Sequence, residues 1–107
     1  MESPAGVGFS YSNTPSDYKN CYDDKTAMDN YIFLVKFFAM YPQFAKNEFY
    51  VAGESYAGHY VPTTVNTIYD QNALGKNPKI NLKGLYVVFV SKKFLLTTLS
   101  ATLQPCW

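Results

Sequence analysis

The sequence predicts an α/β fold in which parallel strands alternate with crossover helices, and three observations carry that prediction. Apolar residues recur at helical steps over 23–41 and again over 57–72. Two short runs rich in aromatic and β-branched residues, 48–53 and 80–88, each follow one of those helices. The resulting order of helix, strand, helix, strand implies right-handed crossovers and parallel pairing, because a helix separates consecutive strands.

Each element has a local reason. Residues 1–22 mix Pro4, Gly6, Gly8, Asn13 and Pro15 with Ser10, Ser12 and Ser16. These residue types favour turns, so an irregular loop without helix is expected. Over 23–41, Ala27, Tyr31, Leu34, Val35 and Phe38 share one face, and Lys25, Asp29 and Lys36 mark the opposite one. Asp23 or Asp24 is expected to cap the start, and Pro42 stops the pattern. The run centred on Val51 reads as a strand buried on both faces. In 57–72, Val61, Val65 and Ile68 repeat helically, with Pro62 near the beginning, where a missing N–H costs little. Gly75 and Pro78 then mark a loop before the second strand.

Composition narrows the function classes. The chain has 107 residues, a net charge of +1 and 48% hydrophobic residues, so it suits one small globular domain rather than a disordered segment. A balanced charge without a Lys/Arg cluster argues against a nucleic-acid partner. The longest apolar stretch, 85–90, is far short of the ~18 residues of a membrane span. Cys21 and Cys106 fit neither a zinc nor a redox spacing and do not by themselves establish a disulfide. Residues 1–6 contain neither a basic nor an apolar leader region, so the chain assigns itself no compartment.

Gly53-Glu54-Ser55-Tyr56-Ala57 has the form G-x-S-x-[GA] and falls between an expected strand and an expected helix, the context of a nucleophile elbow. Such a turn strains the serine backbone, so small residues are needed two before and two after, here Gly53 and Ala57. The helix that follows aims its positive end at the site, where the Tyr56 amide can stabilise an oxyanion. An ordinary capping serine in a tight turn is the competing reading. His59 lies about one turn further on and is expected to project sideways, which suits packing better than general-base work. Asp23 and Asp24 read as caps, and Asp29 and Asp70 as solvated acids. Tyr11, Tyr56 and Tyr60 fit a cleft or a core equally well. Leu95, Leu96, Leu99 and Leu103 recur at near-helical steps without establishing a partner-binding helix.

Three blocks carry a resemblance to a known family: Glu2-Ser3-Pro4-Ala5-Gly6-Val7-Gly8-Phe9-Ser10-Tyr11-Ser12, Gly53-Glu54-Ser55-Tyr56-Ala57-Gly58-His59-Tyr60-Val61-Pro62, and Ile80-Asn81-Leu82-Lys83-Gly84. Together they closely resemble the serine carboxypeptidases, which have the α/β-hydrolase fold. The resemblance implies Ser55 as nucleophile and the Tyr56 amide as one oxyanion donor. It also implies Glu54 as one of an acidic pair, kept partly protonated, that helps bind the C-terminal carboxylate of a peptide substrate, because a protonated carboxyl hydrogen-bonds to a carboxylate while an ionised one repels it. A solvated acid at a helix start is the competing reading for Glu54. No metal or organic cofactor is implied.

In the family the Asp and His of the triad lie far downstream of the serine, and no residue here matches them. A partial α/β-hydrolase is therefore expected, catalytically incomplete by itself, with residues 1–88 as a central fragment and 89–107 as a divergent tail. Members are secretory, vacuolar or lysosomal. Two alternatives stand beside a peptidase: a non-catalytic fragment that pairs by its strand edge with a full-length relative, and an acyltransferase of the same family. Glu before the serine suits the peptidase branch. A sheet of two or three strands would expose apolar edges, so aggregation is expected.

Overall fold

The computed structural model describes residues 1–19, 21–90 and 96–102, with backbone alone for 89–90 and 96–102. The elements run α1 (Asp23–Met40), β1 (Phe49–Glu54), α2 (Ala57–Leu74), β2 (Leu82–Val90) and β3 (Leu96–Thr102). The strands form one sheet in the order β1-β2-β3. β1 and β2 pair in parallel, Val51 opposite Leu85 and Gly53 opposite Val87, which makes α2 the crossover of a β–α–β unit. β3 returns antiparallel to β2, with Val87 opposite Leu99. The stretch in which Leu96 and Leu99 repeat at a helical step is thus a strand. Thr97, Thr98 and Thr102 favour extended backbone, and the edge of β2 supplies pairing partners, which outweighs the leucine spacing. Leu95, Leu103 and Cys106 lie outside the described residues.

α1 buries Thr26, Ala27, Asn30, Tyr31 and Leu34 at steps of three and four, and Asp29 and Lys36 stay exposed. Its start corrects the expected aspartate cap. Tyr22, with extended backbone (φ −116°, ψ 162°), is the cap residue, and no side chain caps the helix. Asp23 and Asp24 sit in the first turn instead, where their charge meets the positive helix end. Pro42 opens a 3-10 turn at Pro42–Phe44 as α1 stops. A second 3-10 turn, Pro15–Tyr18, interrupts the loop expected to hold no helix, since Pro15 fixes the first φ of the turn. α2 ends at Gly75, whose left-handed backbone (φ 65°, ψ 16°) lets its N–H reach Gln71 O at 3.3 Å.

Two apolar clusters share the helix side of the sheet. Tyr31, Leu34, Ile68 and Ile80 form one, Val61, Val65 and Val87 the other, and Val51 and Leu82 touch both. Ile68 is fully buried, a placement that contributes about 1.5–3 kcal/mol. Both helices cover the same face, so β1 alternates: Phe49, Val51 and Gly53 are half-buried, while Tyr50, Ala52 and Glu54 are exposed. This corrects the reading of β1 as buried on both faces. Its aromatic and β-branched composition gave no clear alternation, and no helix among the described residues covers the second face. The α2–β2 connection is closed by Asn72. Its amide donates to Ile80 O and its carbonyl accepts from Ile80 N–H, both at 2.9 Å.

Candidate active site

The junction of β1 and α2 is built by the two elements on either side of it. Ser55 has φ 59°, the one non-glycine residue with positive φ among the described residues. Its N–H donates to Val88 O at 3.0 Å and extends the pairing with β2, while its carbonyl accepts from Gly58 N–H at 2.9 Å and begins the turn into α2. Held from both sides, the serine keeps a conformation that costs on the order of 1–3 kcal/mol. Close approach of strand and helix sets the neighbours. A Cβ on Gly53 would overlap the Ala57 methyl and stand 2.9 Å from Val61 Cγ2. The serine side chain is exposed, and its hydroxyl makes no hydrogen bond to any described residue.

Glu54, the last residue of β1, is exposed. Tyr56 is the residue before α2 and already has helical backbone (φ −62°, ψ −17°). Its amide has no acceptor among the described residues. Its half-exposed ring lies 5.3 Å from that of His59 and 5.0 Å from that of Tyr60. His59 is exposed, with its N–H on Tyr56 O. Tyr11, Asp29 and Asp70 are exposed as well. Burial, with the charge of Asp23 second, pushes the Tyr60 phenol above its ordinary value.

A polar link went unread in the sequence. Ser3 Oγ donates to Asn30 Oδ1 at 2.6 Å, and Asn30 Nδ2 donates to Thr64 Oγ1 at 3.2 Å, so the N-terminal loop, α1 and α2 are joined in the interior. The available signal was a polar residue on each apolar face, Asn30 between Ala27 and Leu34 and Thr64 between Val61 and Ile68. The loop is also tied within itself. The Glu2 carboxylate accepts from Phe9 N–H, and Gly8 (φ 55°) packs so closely on it that a Cβ would overlap. Further along, Asp17 accepts from Ser12 Oγ at 2.6 Å and Lys25 Nζ at 3.3 Å. Ser12 first and Lys25 second hold its carboxyl below the usual range, and Asp17 in turn raises Lys25. Cys21, a free exposed thiol, donates to Asp17 O.

An apolar groove of about 490 Å³ runs between α1 and the free edge of β1. Phe33, Phe37, Phe49 and Val51 line it, Met1 and Ser3 enter it, and Tyr60 stands at the α2 side.

A strand, a strained serine turn and a following helix, with a parallel neighbour for the strand, define an α/β chain of the serine-elbow class. The serine carboxypeptidase family model matches residues 1–89, and the chain belongs to that family. It is 56% identical over 87 residues to serine carboxypeptidase-like 27 of Arabidopsis thaliana and 55% identical over 87 residues to serine carboxypeptidase 24 of the same plant. Against serine carboxypeptidase-like 26 of Oryza sativa subsp. japonica it is 53% identical over 88 residues. Each match covers 81% of this chain but only 18–19% of the relative, so the chain spans about a fifth of the length of these relatives.

Proposed function

We propose that this chain carries the nucleophile segment of a serine-type carboxypeptidase and that its 107 residues alone do not turn over peptide. The observation that carries the reading is the positive φ of Ser55 at the strand-to-helix junction. A serine is kept in that conformation only where the surrounding fold over-determines it, and the result is a hydroxyl presented to solvent above the end of the sheet.

In the proposed reaction Ser55 Oγ attacks the carbonyl carbon of the last peptide bond. The Tyr56 N–H, free and at the positive end of α2, receives the developing oxyanion. Collapse breaks the C–N bond as the departing amine takes up the proton that left the serine, which releases the C-terminal residue and leaves an acyl-serine that water hydrolyses to the shortened peptide and free serine. Glu54, adjacent and exposed, donates a hydrogen bond to the terminal carboxylate of the substrate when its own carboxyl carries a proton, since two ionised carboxylates would repel each other. The proton of the serine needs a base within hydrogen-bond reach. His59 packs its ring on Tyr56, one turn along the helix, and is not assigned that role. Loss of triad partners lowers the rate by several orders of magnitude, which is the basis for inactivity of the chain by itself.

A segment exchange tests this. Residues 2–88 are placed into serine carboxypeptidase 24 in place of the matching part, and C-terminal release is measured with and without Ser55→Ala. The chimera is expected to work and its Ser55→Ala form to lose activity at least 1,000-fold, roughly the scale of triad deletions. A folded chimera whose activity survives Ser55→Ala would reject the assignment. In parallel, intact mass after fluorophosphonate treatment is expected to show no adduct on the 107-residue chain. An adduct lost in Ser55→Ala would show a serine activated without help and would reject the inactivity claim.

A further inference from the structure

We propose that the residues beyond the family match act as a built-in blocking strand: β3 occupies the second edge of β2 and shuts that strand to any segment offered by another molecule. The family match ends at residue 89, whereas β3 runs Leu96–Thr102 and lies wholly outside it. Each of its seven residues stands opposite a residue of β2, from Leu96 opposite Val90 to Thr102 opposite Gly84.

Backbone direction shows what the pairing removes. Ser55 N–H donates to Val88 O, so alternation turns the N–H and C=O groups of Gly84, Tyr86 and Val88 toward β1 and those of Leu85, Val87 and Phe89 toward β3. In register the latter three meet Ala101, Leu99 and Thr97, which makes these the hydrogen-bonded pairs of the ladder. Without β3 they would form an open edge along LKGLYVVFV, a run of β-branched and aromatic residues whose one charge, Lys83, stands near its start. Such an edge is a template for strand addition. β3 puts in its place the sequence LTTLSAT, with three threonines and a serine.

Covalent attachment makes the block effective. Val90 and Leu96 stand opposite each other, and residues 91–95 are all that separates them in sequence. A strand held on so short a connection competes at an effective concentration on the order of millimolar. A free strand able to bind the open edge with a Kd of about 10 µM is therefore weakened about a hundredfold, the ratio of the two concentrations. Another segment can join β2 on this side only after β3 lets go.

The test uses the 107-residue chain, its Leu99→Pro and Ser100→Pro variants, and a synthetic peptide with the sequence of residues 96–102. Proline at 99 removes an N–H that the ladder uses, while proline at 100 removes one turned away from β2. In the unaltered chain, amide exchange is expected to be slow at Leu85 and Val87 as well as at Tyr86 and Val88. Leu99→Pro is expected to speed exchange at Leu85 and Val87 about tenfold or more and to leave Tyr86 and Val88, bonded to β1, within about twofold. Ser100→Pro is expected to leave all four within about twofold. The peptide is expected to bind Leu99→Pro about a hundredfold more tightly than the unaltered chain and to slow Leu85 and Val87 again. Fast exchange at Leu85 and Val87 in the unaltered chain would mean an open edge and overturn the proposal. Equal effects of the two prolines would do the same, and so would a peptide that binds the unaltered chain as tightly as Leu99→Pro. Loss of protection at all four positions in Leu99→Pro would make β3 an inseparable part of the sheet rather than a block, and would overturn it as well.

Discussion

The tightest contact at the elbow gives the sharpest prediction. In Gly53→Ala the new Cβ meets two obstacles at once, the Ala57 methyl, which it overlaps, and Val61 Cγ2 at 2.9 Å. Neither can rotate far. The first is fixed to the opening turn of α2, and the second belongs to a buried valine, so β1 and α2 have to separate. Overpacking of a filled site costs about 1–3 kcal/mol, and two rigid obstacles put this case near the top of that range, about 3 kcal/mol. Ala57→Gly removes one obstacle at a cost of about 1 kcal/mol in helix propensity. The double variant is expected to lose about 2.5 kcal/mol rather than the additive 4, a coupling of about 1.5 kcal/mol, ordinary for residues in contact. Gly75→Ala supplies the comparison. Nothing stands within 4 Å of its Cβ, and only the strain of φ 65° remains, about 1 kcal/mol. Urea unfolding at low protein concentration, followed by far-UV circular dichroism, measures all four. If Gly53→Ala cost no more than Gly75→Ala, or if the pair were additive, the steric account of the elbow would be wrong.

Three further outcomes follow from the same structure. Ser55→Gly relieves the positive φ, and after the added freedom of the unfolded glycine is subtracted, a gain of about 1 kcal/mol is expected in the same unfolding series. Ile68→Ala empties a fully buried site in the larger core cluster and is expected to cost about 2–5 kcal/mol, with loss of both helices together in circular dichroism. The Asp17 carboxyl is held below its ordinary value by Ser12 and Lys25. Its contribution is therefore complete above the usual carboxylate range and is lost as pH falls through the lowered folded value. Tyr18 resonances are expected to report that loosening in an acid titration, to do so less in high salt, and to lose the transition in Asp17→Asn.

Much of this architecture was legible because its signals are local. Helical spacing from Ala27 to Phe38 placed α1 to within a residue, since an apolar stripe and a stopping Pro42 depend on nothing distant. G-x-S-x-A placed the turn for a similar reason: small residues at 53 and 57 are demanded by contact between adjacent elements. The cap of α1 was misread because aspartate suits both the cap position and the first turn, and only the extended backbone of Tyr22 decides between them. β1 was misread because FYVAGE lacks a clear polar alternation, and how much of it is covered depends on what packs beside it. β3 is set by antiparallel pairing with the strand just before it, Val90 opposite Leu96, rather than by the spacing of its own leucines. The Ser3–Asn30–Thr64 link was invisible for a related reason, since its three residues are far apart in sequence and meet only when the helices pack.

The Asn72 amide does for the α2–β2 connection what a pair of ladder bonds does inside a sheet. It fastens both backbone groups of Ile80 to the last turn of α2, while residues 75–79 are exposed and among their side chains only that of Asn77 hydrogen-bonds back, its amide donating to the Tyr31 hydroxyl at 3.1 Å. A cut after Lys76 would separate the chain into two pieces still joined by packing of α2 on β2, by the β1–β2 ladder and by the Asn72 clamp. The same loop is a place where new termini or an inserted sequence could be accepted without disturbing the serine turn at the other end of α2.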